Sequence, residues 1–340
     1  MFLTNIWYFA LLSRDLKSGK MLSKIIAGEP ILFTRNKDGN IIARRDICPH
    51  RGIPLSCGRL LENGELECCY HGWRFNDQGK CTKIPSLTKN QVFDLSRINV
   101  RTYDCLERSG GIWIFMGQED STQFFLPEMP QGLPSTPNLS LKMIFPCDID
   151  HAVVGLMDPA HGPFIHRSWF WRSEASIHEK SKSFEPSPLG FRMVRHKPSK
   201  NGRAYKILGG APQTEITFSL PGIRIESIEI GTHQVCGLTT ITPIDEKTSE
   251  IHHMIYWTLP WLTFLKPLLY PFAYTFLNQD KNAVKLQQRG LIFSPSLMLI
   301  KDADTQAKWY YKLKKEYQDA LNTKRPFVNP LKSCTLKWQS

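Results

Sequence analysis

Short apolar stretches separated by turn residues run through the first third of the chain. Between residues 31 and 117 they read ILFTRN, NIIARRD, INVRTYDCLE and IWIFMG, with an Asp38-Gly39 turn between the first two. Runs of strand-forming residues bounded by such turns are typical of antiparallel β-structure. The pattern therefore predicts a small all-β domain over residues 1–118.

The pattern changes after residues 119–140, a proline-rich stretch that reads as a linker or crossover. Helices are predicted at 152–158 and 304–321, the second from apolar positions at helical spacing. Strand-like stretches lie between them: RAYKILGG, TEITFSL, IRIESIEI, HQVCGLTTITPI and EIHHMIYWTL. Residues 119–340 are thus predicted to form an α+β domain, a sheet with helices packed on it.

Residues 254–277 are apolar enough to raise the question of a membrane span. They contain Lys266 and three prolines, Pro260, Pro267 and Pro271, which would break a single spanning helix repeatedly. We therefore expect a buried or pocket-lining segment, with attachment to a membrane surface as the alternative.

The composition is that of a globular protein, since 41% of the 340 residues are apolar and 22% are charged. The nine cysteines do not form a regular disulfide framework, and residues 1–13 do not show the pattern of a secretory leader, so we do not expect secretion. A reducing cytoplasm is therefore the expected setting.

Two short runs of cysteine and histidine carry the first candidate chemistry. Cys48 and His50 stand in C-P-H-R-G, and Cys68 and His71 stand in C-C-Y-H-G-W. Two thiolates on one iron and two imidazoles on the other are the ligand set of a Rieske [2Fe-2S] centre. The alternative is a structural zinc site with the same four ligands. Each run contains one Cys and one His, which favours a dinuclear cluster bound between two loops.

The net charge of +12 could indicate a nucleic-acid partner, but the basic residues do not form a basic-aromatic motif. Several of them lie close to the two cluster runs. As a hypothesis they form a docking face for an acidic electron-donor protein, and a solvated surface is the alternative. These residues are Arg44, Arg45, Arg51, Arg59, Arg74, Lys80 and Lys83.

A second candidate metal site lies at D-P-A-H-G-P-F-I-H, where Gly162 and Pro163 would break a helix between His161 and His166. Two histidines and one carboxylate leave open positions on an iron, as in non-heme Fe(II) oxygenases. The third ligand must come from elsewhere, and Asp280 is our candidate. The alternatives are Glu226, Glu229 and His253, and the histidines could also be purely structural.

Together these motifs resemble the terminal components of Rieske non-heme iron oxygenases over nearly the whole chain. The opening N-I-W-Y, the two cluster loops and Q-D-K around Asp280 are similar to the branch that contains vanillate O-demethylase and dicamba monooxygenase. L-M-D-P-A-H-G-P-F-I-H is similar to pheophorbide a oxygenase-like proteins. The branch often has asparagine three residues before its bridging aspartate, where this chain has Gly155.

The resemblance implies a sheet of the helix-grip type for residues 119–340 and a role for each candidate residue. His161, His166 and Asp280 would bind a mononuclear Fe(II), and Asp158 would bridge it to a cluster histidine. Members are commonly head-to-tail trimers, so an electron would pass from His71 of one chain through Asp158 to His161 of its neighbour.

The implied activity is O2- and NAD(P)H-dependent hydroxylation or oxidative demethylation of a hydrophobic or aromatic substrate. The chain contains no G-x-G-x-x-G after a strand, so electrons are expected from a separate reductase, with or without a ferredoxin. The apolar run at 257–276 is our candidate for the substrate entrance. The alternatives are a Rieske-type electron carrier and an oxygenase acting on a sterol or tetrapyrrole.

Overall fold

The structure, a computed structural model, describes residues 2–166, 177–198 and 211–340. It contains two units, Phe2–Phe124 and Phe125–Ser340. The predicted strand RAYKILGG, at 203–210, lies outside the described residues. Elsewhere the predicted α+β fold is confirmed, with an all-β first unit and a sheet-and-helix second unit.

Eleven short strands and no α-helix make up the described part of the N-terminal unit. They form three antiparallel sheets, with strand orders β1-β11-β10, β2-β3-β4-β9 and β5-β6-β7-β8. The strands are β1 Trp7–Leu12, β2 Met21–Ile26, β3 Glu29–Arg35, β4 Ile41–Arg45, β5 Arg59–Leu60, β6 Leu66–Glu67, β7 Arg74–Phe75, β8 Cys81–Lys83, β9 Thr102–Tyr103, β10 Cys105–Arg108 and β11 Gly111–Phe115.

The third of these sheets supports the two cluster runs. Leu55, Leu66 and Phe75 are fully buried, and they belong to one core together with Cys48 and Cys68. Burying apolar side chains around the two thiols fixes the loops that carry them, because side chains in a close-packed core have little freedom to move. This core therefore holds the backbone of both loops in place at Cys48 and Cys68.

A single antiparallel sheet of eight strands forms the C-terminal unit, in the order β12-β18-β17-β16-β15-β14-β13-β19. Its members pair across long sequence separations, as where Phe184 of β13 lies opposite Cys334 of β19. The strands are β12 Leu139–Phe145, β13 Glu179–Ser187, β14 Gly190–His196, β15 Gln213–Ser219, β16 Ile223–Ile230, β17 His233–Asp245, β18 Thr248–Trp257 and β19 Cys334–Gln339.

Helices pack against this sheet and carry the candidate iron ligands. The helices described are α1 Ile149–Met157, α2 Gly162–Ile165, α3 Pro260–Phe264, α4 Lys266–Leu291 and α5 Thr305–Asn322. Helix α5 covers one end of the sheet through Trp309, whose ring lies 5.1 Å from that of Phe191 and 5.4 Å from that of Phe184. It is joined to α1 by Asp150, which accepts hydrogen bonds from Tyr310 and Lys314.

The apolar segment 254–277 falls into two parts. Its first residues complete β18, where Met254 and Tyr256 are fully buried. The expectation of burial is wrong for the part from Phe264 to Tyr274, most of which is exposed. Within the described residues, no helix is both long enough and apolar enough to cross a bilayer.

The N-terminus of α1 is held by a side-chain cap. Asp148 accepts a hydrogen bond from the backbone N–H of His151 at 3.0 Å, and its second oxygen lies 2.5 Å from Nδ1 of that histidine. The hydrogen bond to Asp148 is the main reason that the pKa of His151 is raised. This cap fixes the start of the helix whose other end is Asp158.

We expect Asp148→Ala to lower the unfolding free energy of the protein by about 1 kcal/mol, the usual contribution of a helix N-cap. The loss should be larger at pH 5 than at pH 9, because the stability from a raised histidine pKa is present below the unfolded pKa and disappears as the pH rises through the folded one. Denaturant unfolding at the two pH values measures both effects. Equal stability of variant and wild type at pH 5 would contradict this role.

Candidate metal centres

The two cluster runs form loops with the same hydrogen-bond pattern. In the first, the N–H of Cys48 donates to the carbonyl of Ile53, and the N–H of Gly52 donates to the carbonyl of Cys48. In the second, the N–H of Cys68 donates to Trp73, and that of Gly72 donates to Cys68. Gly52 and Gly72 have φ angles of +73° and +67°, a region that glycine enters without strain.

Each loop therefore presents its cysteine at the base and its histidine near the tip. Cys48 and Cys68 are 2% and 3% exposed, whereas His50 and His71 are only partly buried. Burial raises the pKa of the Cys48 thiol to about 11, although the backbone N–H groups of His50 and Arg51 oppose this by hydrogen bonding to the sulfur. Such N–H groups stabilise a thiolate, the form that binds iron.

The two imidazoles lie side by side at the surface of the loops. The ring centroids of His50 and His71 are 4.5 Å apart, and His50 stacks on Trp73 at 4.4 Å with the planes nearly parallel. Stacking on a large aromatic ring limits rotation of the imidazole. The pKa of His50 is lowered, first by partial desolvation and then by His71 and Arg51, which favours the neutral ring that a metal requires.

The two loops bring their four candidate ligands into one place. Cys48 and Cys68 belong to one core, and the rings of His50 and His71 are neighbours. Two thiolates and two imidazoles are the ligand set of a Rieske [2Fe-2S] centre.

The contacts made by the basic residues near the loops show that part of the predicted docking face is wrong. Arg44 is fully buried and pairs with Asp77 at 2.9 Å, so it cannot belong to a donor-binding surface. Its guanidinium also donates to the carbonyl of Asn76, which makes it a structural residue. Arg59 and Arg74 both pair with Glu67. Arg51 is exposed within the first loop itself.

The second site is built where two helices, α2 and α4, meet. His161 immediately precedes α2, His166 follows it, and Asp280 lies in α4. The Nε2 atoms of the two histidines are 3.0 Å apart. Asp280 Oδ1 is 3.0 Å from His166 Nε2 and 3.5 Å from His161 Nε2. The chain is not broken between the two histidines as the sequence predicted: Gly162 and Pro163 are the first residues of α2, and the break lies before His161, since α1 ends at Met157. The single turn of α2 holds the two imidazoles toward one point.

In each of the two imidazoles, a hydrogen bond at Nδ1 determines which ring nitrogen can bind a metal. His161 Nδ1 lies 2.8 Å from the carbonyl oxygen of Asp158, and His166 Nδ1 lies 3.0 Å from Oε1 of Gln279. With an acceptor at each Nδ1, the proton of a neutral ring is held there, and both Nε2 atoms carry lone pairs. Two such lone pairs and a carboxylate oxygen directed at one point fit a divalent cation, and the donor set is that of non-heme Fe(II).

Gln279 and Phe276 are site residues that the sequence reasoning missed. The ring of Phe276 stacks on His166 with centroids 3.7 Å apart and an interplanar angle of 13°. The two residues precede Asp280 by one and four positions in the same helix. In the sequence, only their positions close to Asp280 could have indicated that they belong to the site.

We expect Gln279→Leu to weaken iron binding at this site by about 10- to 100-fold, because it removes the acceptor that orients His166. Iron titration of the apo-protein, with the cluster absorption recorded in parallel, measures the affinity. Asn282→Ala, an exposed change on the same helix, is the matched control. Iron affinity equal to that of the control would show that Gln279 does not orient the ligand.

A cavity of about 270 Å³ lies beside two of the three ligands, His161 and Asp280. Apolar side chains from α1, α4 and the sheet supply most of its wall, among them Phe145, Ile251, Leu277 and Val284. Gly155 also lines it, and a Cβ atom at that position would approach Val284 only to 3.9 Å. The backbone could therefore accept a larger side chain at position 155. With glycine at this position, the volume of that side chain is part of the cavity.

The alternative third ligands are not part of the group. His253 is hydrogen-bonded to Thr239 at 2.8 Å, and burial lowers its pKa to about 4. Glu226 pairs with Arg224 and Glu229 with Arg195. Asp280 alone of the four candidates lies within 4.8 Å of both histidines.

Comparison with known proteins gives similarity over both units. The model of the Rieske [2Fe-2S] domain matches residues 6–104. Chlorophyllide a oxygenase of Chlamydomonas reinhardtii is 34% identical over 172 residues, which is 50% of this chain and 25% of that protein. The first curated relatives are matched over only 25% to 30% of their length.

Other similarities extend further along the chain. The 4beta-methylsterol monooxygenase of Methylococcus capsulatus is 28% identical over 325 residues, which covers 84% of this chain and 80% of that protein. The crystal structure of dicamba monooxygenase bound to dicamba superimposes with a TM-score of 0.73 at 23% identity, over 95% of this chain and 99% of that one. At this identity the likeness shows the fold.

Proposed function

Because the chain contains a Rieske [2Fe-2S] domain and its homologues are Rieske oxygenases, we propose that it is the oxygenase component of a system that uses O2 to hydroxylate or demethylate a hydrophobic substrate. The observation that carries this proposal is the convergence of His161, His166 and Asp280. An electron carrier would need only the N-terminal unit. The second unit instead brings together the ligand set of an oxygen-activating iron.

When bound, the cluster would supply single electrons and the mononuclear iron would supply activation of dioxygen. The residues of the chain prepare the site for that chemistry. Asp158 and Gln279 hold the Nδ1 protons of the two imidazoles, so that both Nε2 atoms can act as ligands. Phe276 covers one face of His166, which itself is 3% exposed, and so keeps water from that ligand.

The cavity indicates the class of substrate. Its walls are mainly apolar, and its polar groups, which include Asp158, His161 and Asp280, gather at the metal-binding side. A substrate would therefore be held by apolar contact and positioned with one carbon toward the ligands. The relatives named for chlorophyllide, a methylsterol and dicamba make aromatic methyl ethers, sterols and tetrapyrroles the compounds to try first.

We further propose that a separate NAD(P)H-dependent reductase supplies the electrons, with or without a ferredoxin, and that the active form is a homotrimer. Arg51 and the exposed basic residues near the loops are the proposed contacts for the donor. All nine cysteines are free of disulfides, which suits a reducing compartment such as the cytoplasm.

The test is iron and sulfide analysis of protein purified without oxygen, followed by oxygen uptake with a surrogate reductase and the substrate panel. The proposal expects about three irons per chain and substrate-dependent oxygen consumption that matches NADH oxidation. About two irons and no substrate-dependent uptake would indicate an electron carrier instead. A colourless protein with zinc and no iron would refute both.

A further inference from the structure

An exposed apolar surface lies on α3 and the first half of α4, at residues 261–274, which we call the 261–274 segment. In it Phe264 is 84% exposed and Leu268 is 70% exposed. Tyr270 and Tyr274 are 49% and 47% exposed. Apolar surface of this extent on a folded protein is usually covered by something in solution or in the cell.

The exposed side chains stand on more than one side of α4. At about 100° per residue, Leu268 and Phe272 share one side of the helix, while Tyr270 and Tyr274 share the nearly opposite side. A protein partner with a flat surface would cover only one of these sides. A fluid occupant that surrounds the half-exposed helix can cover both.

The charge of the region also favours a particular occupant. No aspartate or glutamate occurs between Ile251 and Gln279, and Lys266 is the only lysine or arginine there. Further along α4, Lys285 and Arg289 are exposed. Lys285 follows Tyr274 by eleven residues, which is close to three full turns, so the basic side chains continue the tyrosine side of the helix.

Exposed leucine and phenylalanine, tyrosine and tryptophan between them, and lysine or arginine along the edge are the features of a helix that lies in a membrane interface. The basic residues would meet anionic headgroups, which attract lysine and arginine near the membrane surface. We propose that the 261–274 segment docks this protein on the surface of an anionic lipid bilayer, with α3 and the first half of α4 in the headgroup region.

This docking does not depend on the proposed oxygenase activity, because it uses side chains outside the metal site. It would nevertheless bear on that activity. Asp280 lies in α4 six residues after Tyr274, so one helix joins the lipid-facing segment to the candidate iron site.

The experiment is flotation of the purified full-length protein with vesicles of phosphatidylcholine alone and of phosphatidylcholine with about 30% phosphatidylglycerol, at low and high salt. We expect binding to the anionic vesicles that weakens as salt rises. Phe264→Ser with Leu268→Ser should lower the bound fraction by about tenfold or more, since both side chains would leave the apolar layer. Lys285→Gln with Arg289→Gln should lower binding only on anionic vesicles.

Val92→Ser with Phe93→Ser is the matched control, because these side chains are 101% and 52% exposed in the N-terminal unit. Circular dichroism and the visible spectrum confirm that each variant is folded. The proposal is overturned if the wild type does not bind anionic vesicles, or if Phe264→Ser with Leu268→Ser binds as well as the control. Concentration-dependent self-association that this double variant abolishes, without vesicle binding, would identify a second copy of the chain as the occupant and also overturn it.

Discussion

Replacement of His161 by alanine is expected to abolish turnover while leaving the [2Fe-2S] cluster in place. The Nε2 atom of His161 lies 3.0 Å from that of His166 and 3.5 Å from Asp280 Oδ1, so its loss leaves only two of the three converging ligand atoms. Two ligands do not complete the facial arrangement that holds Fe(II). The cluster ligands Cys48, His50, Cys68 and His71 belong to the other unit, and the core that holds the two cysteines consists of residues of that unit alone.

The measurement is iron per chain together with the visible spectrum and oxygen uptake. Iron should fall from about three to about two per chain, the visible absorption should persist, and substrate-dependent uptake should fall to the background rate. His233→Ala, an exposed histidine at the start of β17, is the matched control. If His161→Ala kept its third iron and its turnover, the group of His161, His166 and Asp280 would not be the catalytic site.

Much of this site could be predicted from the sequence because its ligands lie in short, chemically distinctive runs. Both histidines stand in one such run, although the break that Gly162 and Pro163 predicted between them is wrong, since these two residues begin α2 and the break lies before His161. Asp280 was a prediction from Q-D-K, and the structure brings it to the two histidines. Gln279 could not be predicted, since its role depends on the rotation of α4 about its axis, which the packing of the whole unit decides.

The fold shows the same difference between local features, which could be predicted from the sequence, and features that depend on distant residues, which could not. Alternating apolar stretches predicted strands such as IRIESIEI, which is β16, because the alternation is local. The order of the eight-stranded sheet was not accessible, since the pairing of Phe184 with Cys334 joins residues 150 positions apart. Arg44 was placed on a surface for a related reason: arginine is rarely buried, and only the tertiary structure reveals the partner Asp77 that satisfies it.

Asp158 occupies a position where its backbone and its side chain have separable roles. Its carbonyl oxygen accepts from His161 Nδ1, and its Oδ1 accepts from the backbone N–H of Ala160 at 2.7 Å. Its Oδ2 lies 3.6 Å from His161 Nδ1, and the side chain is 34% exposed. The carboxylate is thus available to a second partner. We propose that this partner is His71 of a neighbouring chain, which would make Asp158 the electron route between the two metal centres.

Asp158→Asn is expected to keep both metals and lower turnover by about 10- to 100-fold. The amide oxygen can still accept from Ala160, and the carbonyl that orients His161 is unchanged, so the fold and the iron ligands should survive. Only the negative charge is removed, and with it the ability to accept hydrogen bonds from two imidazoles and to stabilise them when one becomes charged. Asp158→Ala would be less informative, because it also removes the acceptor for Ala160.

Three measurements separate an electron route from a structural role: iron content, turnover, and the rate at which the reduced cluster is reoxidised in the presence of oxygen and substrate. A structural defect would lower iron content, whereas a blocked route would slow reoxidation at full iron content. Asp245→Asn, which changes an exposed carboxylate at the end of β17, is the control for the loss of one negative charge. Reoxidation and turnover at wild-type rates would remove Asp158 from the path and leave its carbonyl, as the acceptor for His161 Nδ1, as its contribution to the site.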